Sequence, residues 1–175
     1  MNGKNDIESF VNKLVEHIGN EKVFNCVMEK TKEYRGDWDR AARNIIGEVV
    51  KKLFSEFFPD IEVRKAVKVE GDKRRMPRRP TEFFGSYGQY PDICIEEPKK
   101  VAIELDHAGK GVGSRFKMAL AKASFNFLSG DWEYSIVLFH NHGEKSLKSC
   151  LNNQTEKKIL NFYQEKLHTK IYLFE

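Results

Sequence analysis

Ile7, Phe10, Val11, Leu14, Val15 and Ile18 recur at intervals of three and four residues, the spacing that gathers side chains on one face of an α-helix. Gly19 and Asn20 follow as a stop signal. A shorter helix is expected around Val23, Phe24, Val27 and Met28, and a longer one opens near Asp37. Its stripe runs through Trp38, Ala42, Ile45, Ile46, Val49, Leu53 and Phe57 and ends before Pro59, because the residue ahead of a proline is driven out of the helical region.

After Pro59 the texture changes. Ile61, Val63, Ala66, Val67 and Val69 stand amid charged residues, which predicts one or two strands with their polar positions outward. Gly85, Gly88 and Pro91 mark a loop. Two runs rich in Ile and Val follow, PDICIEE from Pro91 and KKVAIELDHA from Lys99, and predict a hairpin or a neighbouring strand pair. A helix is expected from about Ser114, as N-cap, to Leu128 before Gly130, then the apolar strand EYSIVLFHNH, a helix around Ile159 to Leu167 and a short strand, IYLF. This order predicts an α/β fold with a mixed sheet flanked by helices. No repeat or low-complexity tract interrupts it.

A chain of 175 residues fits one domain that buries a core without disulfides or a structural metal. The reading is a single domain over 1–175, with 1–36 as an N-terminal helical extension and 37–175 as the core. Three cysteines without CxxC spacing, Cys26, Cys94 and Cys150, argue against a disulfide framework or a zinc site and suit a reducing, cytoplasmic setting. The N-terminus lacks a basic patch followed by an apolar run, and no stretch approaches the length of a membrane span.

Charge becomes informative once it is located. Lys73, Arg74, Arg75, Arg78 and Arg79 supply +5 of a formal +4, leaving −1 for the rest of the chain. Phe83, Phe84, Tyr87 and Tyr90 follow this arm, a pairing of phosphate-neutralising cations with rings able to stack on bases. The arm suits a polyanionic partner, DNA or RNA; a homodimer also stays open.

The chemistry concentrates in KKVAIELDHA. Strand alternation puts Glu104 and Asp106 on one face with Ala102, while Val101, Ile103 and Leu105 face the other way. Neighbouring carboxylates in an apolar setting repel each other unless paired or bound to a metal. Asp92 heads the preceding strand and offers a third oxygen ligand. Clustered carboxylates without His or Cys suit Mg²⁺, with Mn²⁺ as a substitute. His140 and His142 form an HxH that could take a transition metal, but no further ligand stands at suitable spacing, so a strand-end loop is expected.

Pro91-Asp92, eleven residues, then Glu104-Leu105-Asp106 resembles the motif of the PD-(D/E)XK nuclease superfamily, and the likeness spans about Trp38 to Phe139. The resemblance implies a restriction-endonuclease-like three-layer core and a divalent-metal-dependent endonuclease acting on DNA, in the manner of a restriction enzyme. Asp92 and Glu104 would then ligate metal and polarise the attacking water. The chain departs from the motif at Asp106, where the family has lysine. Asp106 is then a further metal ligand or a general base, and the alternative is an inactive relative that binds DNA or serves in assembly. Replacement lysines are Lys110, Lys117 and Lys122, with Lys117 favoured because it borders the stripe of Phe116, Leu120, Ala123 and Phe127. Lys122 groups with Arg115 and Asn126 on the polar side, where Arg115 and Lys122 would meet DNA. A glutamate on the first core helix is a further family feature, for which Glu48 is the candidate metal ligand, although Glu56 sits closer to the apolar stripe.

Overall fold

The computed structural model describes residues 3–71, 91–108, 111–128, 132–142 and 153–174. They form α1 (Gly3–Ile18), α2 (Glu21–Glu33), α3 (Trp38–Phe57), α4 (Val63–Ala66), β1 (Val67–Val69), β2 (Ile93–Ile95), β3 (Val101–Ala108), α5 (Val112–Leu128), β4 (Tyr134–Asn141), α6 (Gln154–Lys166) and β5 (Thr169–Phe174). The strands run in the order β1-β2-β3-β4-β5 in a mixed sheet, so the chain is α/β as its pattern predicted. The basic arm, Lys110, Cys150 and the aromatic residues from Phe83 to Tyr90 lie outside the described residues. Among the described residues no helix is long and apolar enough to cross a membrane.

The chain divides into two compact units, Met1–Met76 with Asp92–Lys100, and Pro77–Pro91 with Val101–Glu175. In the first, α1 and α2 pack on α3. Ile7, Phe10, Val11, Leu14 and Ile18 of α1 are fully buried with Ala41, Ala42, Val50 and Phe54 of α3, so the N-terminal helices share one core with α3. The Phe10 ring meets Phe54 edge-on at 5.9 Å and lies 5.6 Å from Phe58. Asp37 opens α3 as expected, its Oδ1 accepting from the Arg40 amide at 3.0 Å. The buried stripe of α3 is rotated from the expected one: Val50 and Phe54 are buried, whereas Ile45, Val49 and Phe57 are only partly covered. Gly47 faces β1, where a Cβ would come within 2.9 Å of Val69 Cγ2.

Residues expected as strand from Ile61 are instead a helical turn at Val63–Ala66 before β1 begins. The ladder explains this. β1 pairs antiparallel with β2 through only Val67↔Ile95, Lys68↔Cys94 and Val69↔Ile93, so residues before Val67 have no strand partner in that ladder. Their amides turn inward, with Lys65 donating to the Glu62 carbonyl at 2.9 Å. Lys68 and Glu96 pair beside the ladder. Cys94 is buried there, and burial, then the Glu96 charge, push its thiol up to about 12, which leaves it unreactive.

In the second unit β3, β4 and β5 are parallel, with Glu104 level with Val137, Asp106 with Phe139 and His107 with His140. α5 packs on β3 and β4. Phe116, Ala119, Leu120 and Ala123 bury against Val137 and Phe139, and α6 adds Leu160 and Tyr163. α5 starts at Val112, two residues before the expected Ser114 cap. Gly111, at φ +64, precedes the helix, and its carbonyl accepts from the Ser114 amide at 3.0 Å and the Arg115 amide at 3.2 Å, so Ser114 falls inside the first turn.

Candidate active site

β3 is buried along nearly its whole length, and its two carboxylates are buried with it. Glu104 is 1% exposed and Asp106 6%. Both point to the α5 side, as alternation along β3 requires. Ionised groups are held at such depth only with partners, and α5 supplies them. Asn126 is fully buried and donates from Nδ2 to Glu104 Oε1 at 2.9 Å. Lys122, one helical turn earlier, brings Nζ within 3.4 Å of Asp106 Oδ2. The His107 amide donates to Asp106 Oδ1 at 2.9 Å.

Local sequence makes this meeting possible. Ala119 and Ala123 are fully buried beside Lys122 and Asn126, and their small side chains let α5 approach β3 closely. Lys122 and Asn126, four residues apart, then stack on one face, one opposite each carboxylate. The expected substitute lysine, Lys117, is exposed instead, as is Arg115. The correction is one of face: the side of α5 expected to meet solvent and DNA through Lys122 is partly turned to the sheet, because a strand carrying two buried carboxylates demands polar partners. Asn126, grouped in the sequence only as a polar-face residue, is the missed member. The signal was available in its i,i+4 spacing from Lys122.

In the other unit, Asp92 is half-buried just before β2, its Oδ1 3.9 Å from Arg43 Nη1. The same guanidinium pairs with Glu70. Arg43 is thus an α3 side chain that meets Asp92, and no feature of the helical stripe had marked it. Glu48, the expected ligand on α3, is 70% exposed at its side chain and pairs with Lys51 at 3.1 Å; Glu56 is exposed as well.

Among the described residues, no group of three or more His, Cys, Asp or Glu side chains is placed to hold a metal ion. Magnesium does not require such a cage, since one or two carboxylates with waters and substrate phosphates suffice. The hard oxygen donors of Glu104 and Asp106 fit that mode of binding.

At the same end of β3, on its other face, His107 Nδ1 lies 3.1 Å from His142 Nε2. The His140 ring stands 5.1 Å from that of His142. Burial, then the neighbouring His142 and His107, lower the His140 pKa to about 4. Comparison of the chain with protein-family models, with curated proteins and with solved structures finds no match.

Proposed function

We propose that the chain is a Mg²⁺-dependent DNA endonuclease of the PD-(D/E)XK type, with Glu104 and Asp106 as metal-binding carboxylates and Lys122 in the role of the motif lysine. The observation that carries this reading is the Lys122 ammonium 3.4 Å from Asp106 on the strand that also bears Glu104. The motif has lost its lysine at position 106, and α5 returns an ammonium group to that carboxylate.

Bound Mg²⁺ would supply Lewis-acid stabilisation of phosphate oxygens and a water of lowered pKa. The chain's own residues do the rest. Asn126 fixes the orientation of the Glu104 carboxylate, and Lys122 pairs with Asp106 while presenting positive charge to the phosphate that gains negative charge during attack. Asp92, the other acidic position of the motif, and Glu48 are assigned to metal by resemblance alone. The arm Lys73, Arg74, Arg75, Arg78 and Arg79 supplies phosphate contacts.

The test is incubation of the protein with plasmid, linear and branched DNA, and with RNA, in Mg²⁺, Mn²⁺ or EDTA. Cleavage that needs the metal is expected. A gel shift without cutting under every metal condition would instead identify a nuclease-fold DNA-binding protein.

A further inference from the structure

His107, His140 and His142 take no part in the proposed carboxylate chemistry, yet the fold gathers all three. His107 ends the run of β3 side chains on the face away from Glu104 and Asp106, and its register partner on β4 is His140. Adjacent strands lie about 4.8 Å apart, so paired side chains on one face are neighbours. His142 follows β4 directly and is pinned by its amide, which donates to the Ala108 carbonyl at 3.1 Å. Two residues close in sequence and one 33 or more positions away are thereby brought to the carboxyl ends of two parallel strands.

We propose that these three histidines form a second metal site, for an imidazole-preferring transition ion such as Zn²⁺. The spacing supports it. Two imidazole nitrogens bound tetrahedrally at about 2.0–2.1 Å from zinc stand about 3.3 Å apart, and His107 Nδ1 and His142 Nε2 are 3.1 Å apart. A cation set off the line between the two nitrogens, with each ring tilted to aim its lone pair at it, would therefore leave their separation nearly unchanged. His140 is the candidate third ligand, its ring centroid 5.1 Å from that of His142. Binding would draw the three rings together, because no three groups among the described residues are already placed to hold an ion. His140 is also held neutral near pH 7, the form that ligates metal. Imidazole nitrogens prefer Zn²⁺, Cu²⁺ or Ni²⁺ over Mg²⁺, so the two sites differ in the ion they select.

The site is tested by titrating Zn²⁺ against a chromophoric competitor in excess Mg²⁺, with Co²⁺ absorption as a second readout of coordination. Wild type should bind one equivalent, and the Glu104→Gln/Asp106→Asn double variant should bind it equally well. His142→Ala, a change at an exposed position, should keep the wild-type circular dichroism spectrum. It should weaken Zn²⁺ binding at least tenfold, since even groups that only support a metal ligand cost about 10–100-fold when removed. No zinc uptake by the wild type, or unchanged affinity in His142→Ala, would overturn the proposal. So would loss of zinc binding in the carboxylate variant alone. Failure of DNA cleavage leaves these readings unaffected, which separates this site from the nuclease reading.

Discussion

Replacing Lys122 with Met keeps the aliphatic stem over α5 and removes only the ammonium group that meets Asp106. At 3.4 Å, with an effective dielectric constant of about 20, the pair attracts by about 5 kcal/mol. Desolvation of two groups at 24% and 8% exposure, and the ordering of the lysine side chain, offset most of that. A net loss of about 1–2 kcal/mol in unfolding free energy is therefore expected, in the range of a charged hydrogen bond. Activity should fall much further. A positioned group that offsets transition-state charge is worth about 10²–10³ in rate, so DNA cleavage should drop by about that factor at saturating Mg²⁺. Urea unfolding followed by tryptophan fluorescence measures the first quantity and plasmid nicking the second. Lys117→Met, at an exposed position of the same helix, should leave both close to wild type. Wild-type cleavage by Lys122→Met, or an equal loss in Lys117→Met, would refute the assignment of Lys122.

Three further outcomes are expected. His140, held neutral down to about pH 4 in the fold but with an ordinary value near 6.5 when unfolded, binds its proton earlier in the unfolded chain. Stability should thus rise with pH between about 4 and 6.5, by up to about 3 kcal/mol, and comparison with His140→Gln across that window should show the slope reduced. Gly47→Ala should destabilise by about 1 kcal/mol in chemical denaturation: the helix gains about 1 kcal/mol of propensity, but the new Cβ meets Val69 Cγ2 at 2.9 Å and overpacking costs about 1–3 kcal/mol. Replacing Arg74, Arg75, Arg78 and Arg79 with Ala should flatten the salt dependence of DNA binding by about 0.9 in log–log slope per lost phosphate contact, as read by fluorescence anisotropy.

Much of the fold was legible because strong periodicity and end signals coincide. α3 begins at the Asp37 cap and ends before Pro59, and β3 carries its carboxylates on the face that alternation assigns. The weak segments are those where tertiary pairing decides. Val63 has strand propensity, yet β2 offers only three partners and the residues before Val67 coil into a turn. The carboxylates of the site were legible and their partners were not. A helical wheel classes Lys122 and Asn126 as outward because it knows nothing of the surface beneath, and only the opposing strand reveals that this polar face is needed inside. Arg43 was hidden for the same reason, since its partners Glu70 and Asp92 lie 27 and 49 positions away. His107 likewise acquires its meaning only when β3 and β4 are laid in register.

The central claim rests most directly on Glu104→Gln. Glutamine keeps an oxygen that can accept the Asn126 hydrogen bond now made to Glu104 Oε1 at 2.9 Å, so the fold and DNA affinity should survive while the metal-binding charge is lost. Single-turnover cleavage of labelled DNA should proceed with Mg²⁺ for the wild type, stop with EDTA, and fall by at least about 10³ in the variant, the cost of losing an essential electrostatic group, at unchanged DNA affinity. A wild type that cuts no DNA in Mg²⁺ or Mn²⁺, or a Glu104→Gln variant that cuts at the wild-type rate, would contradict the account.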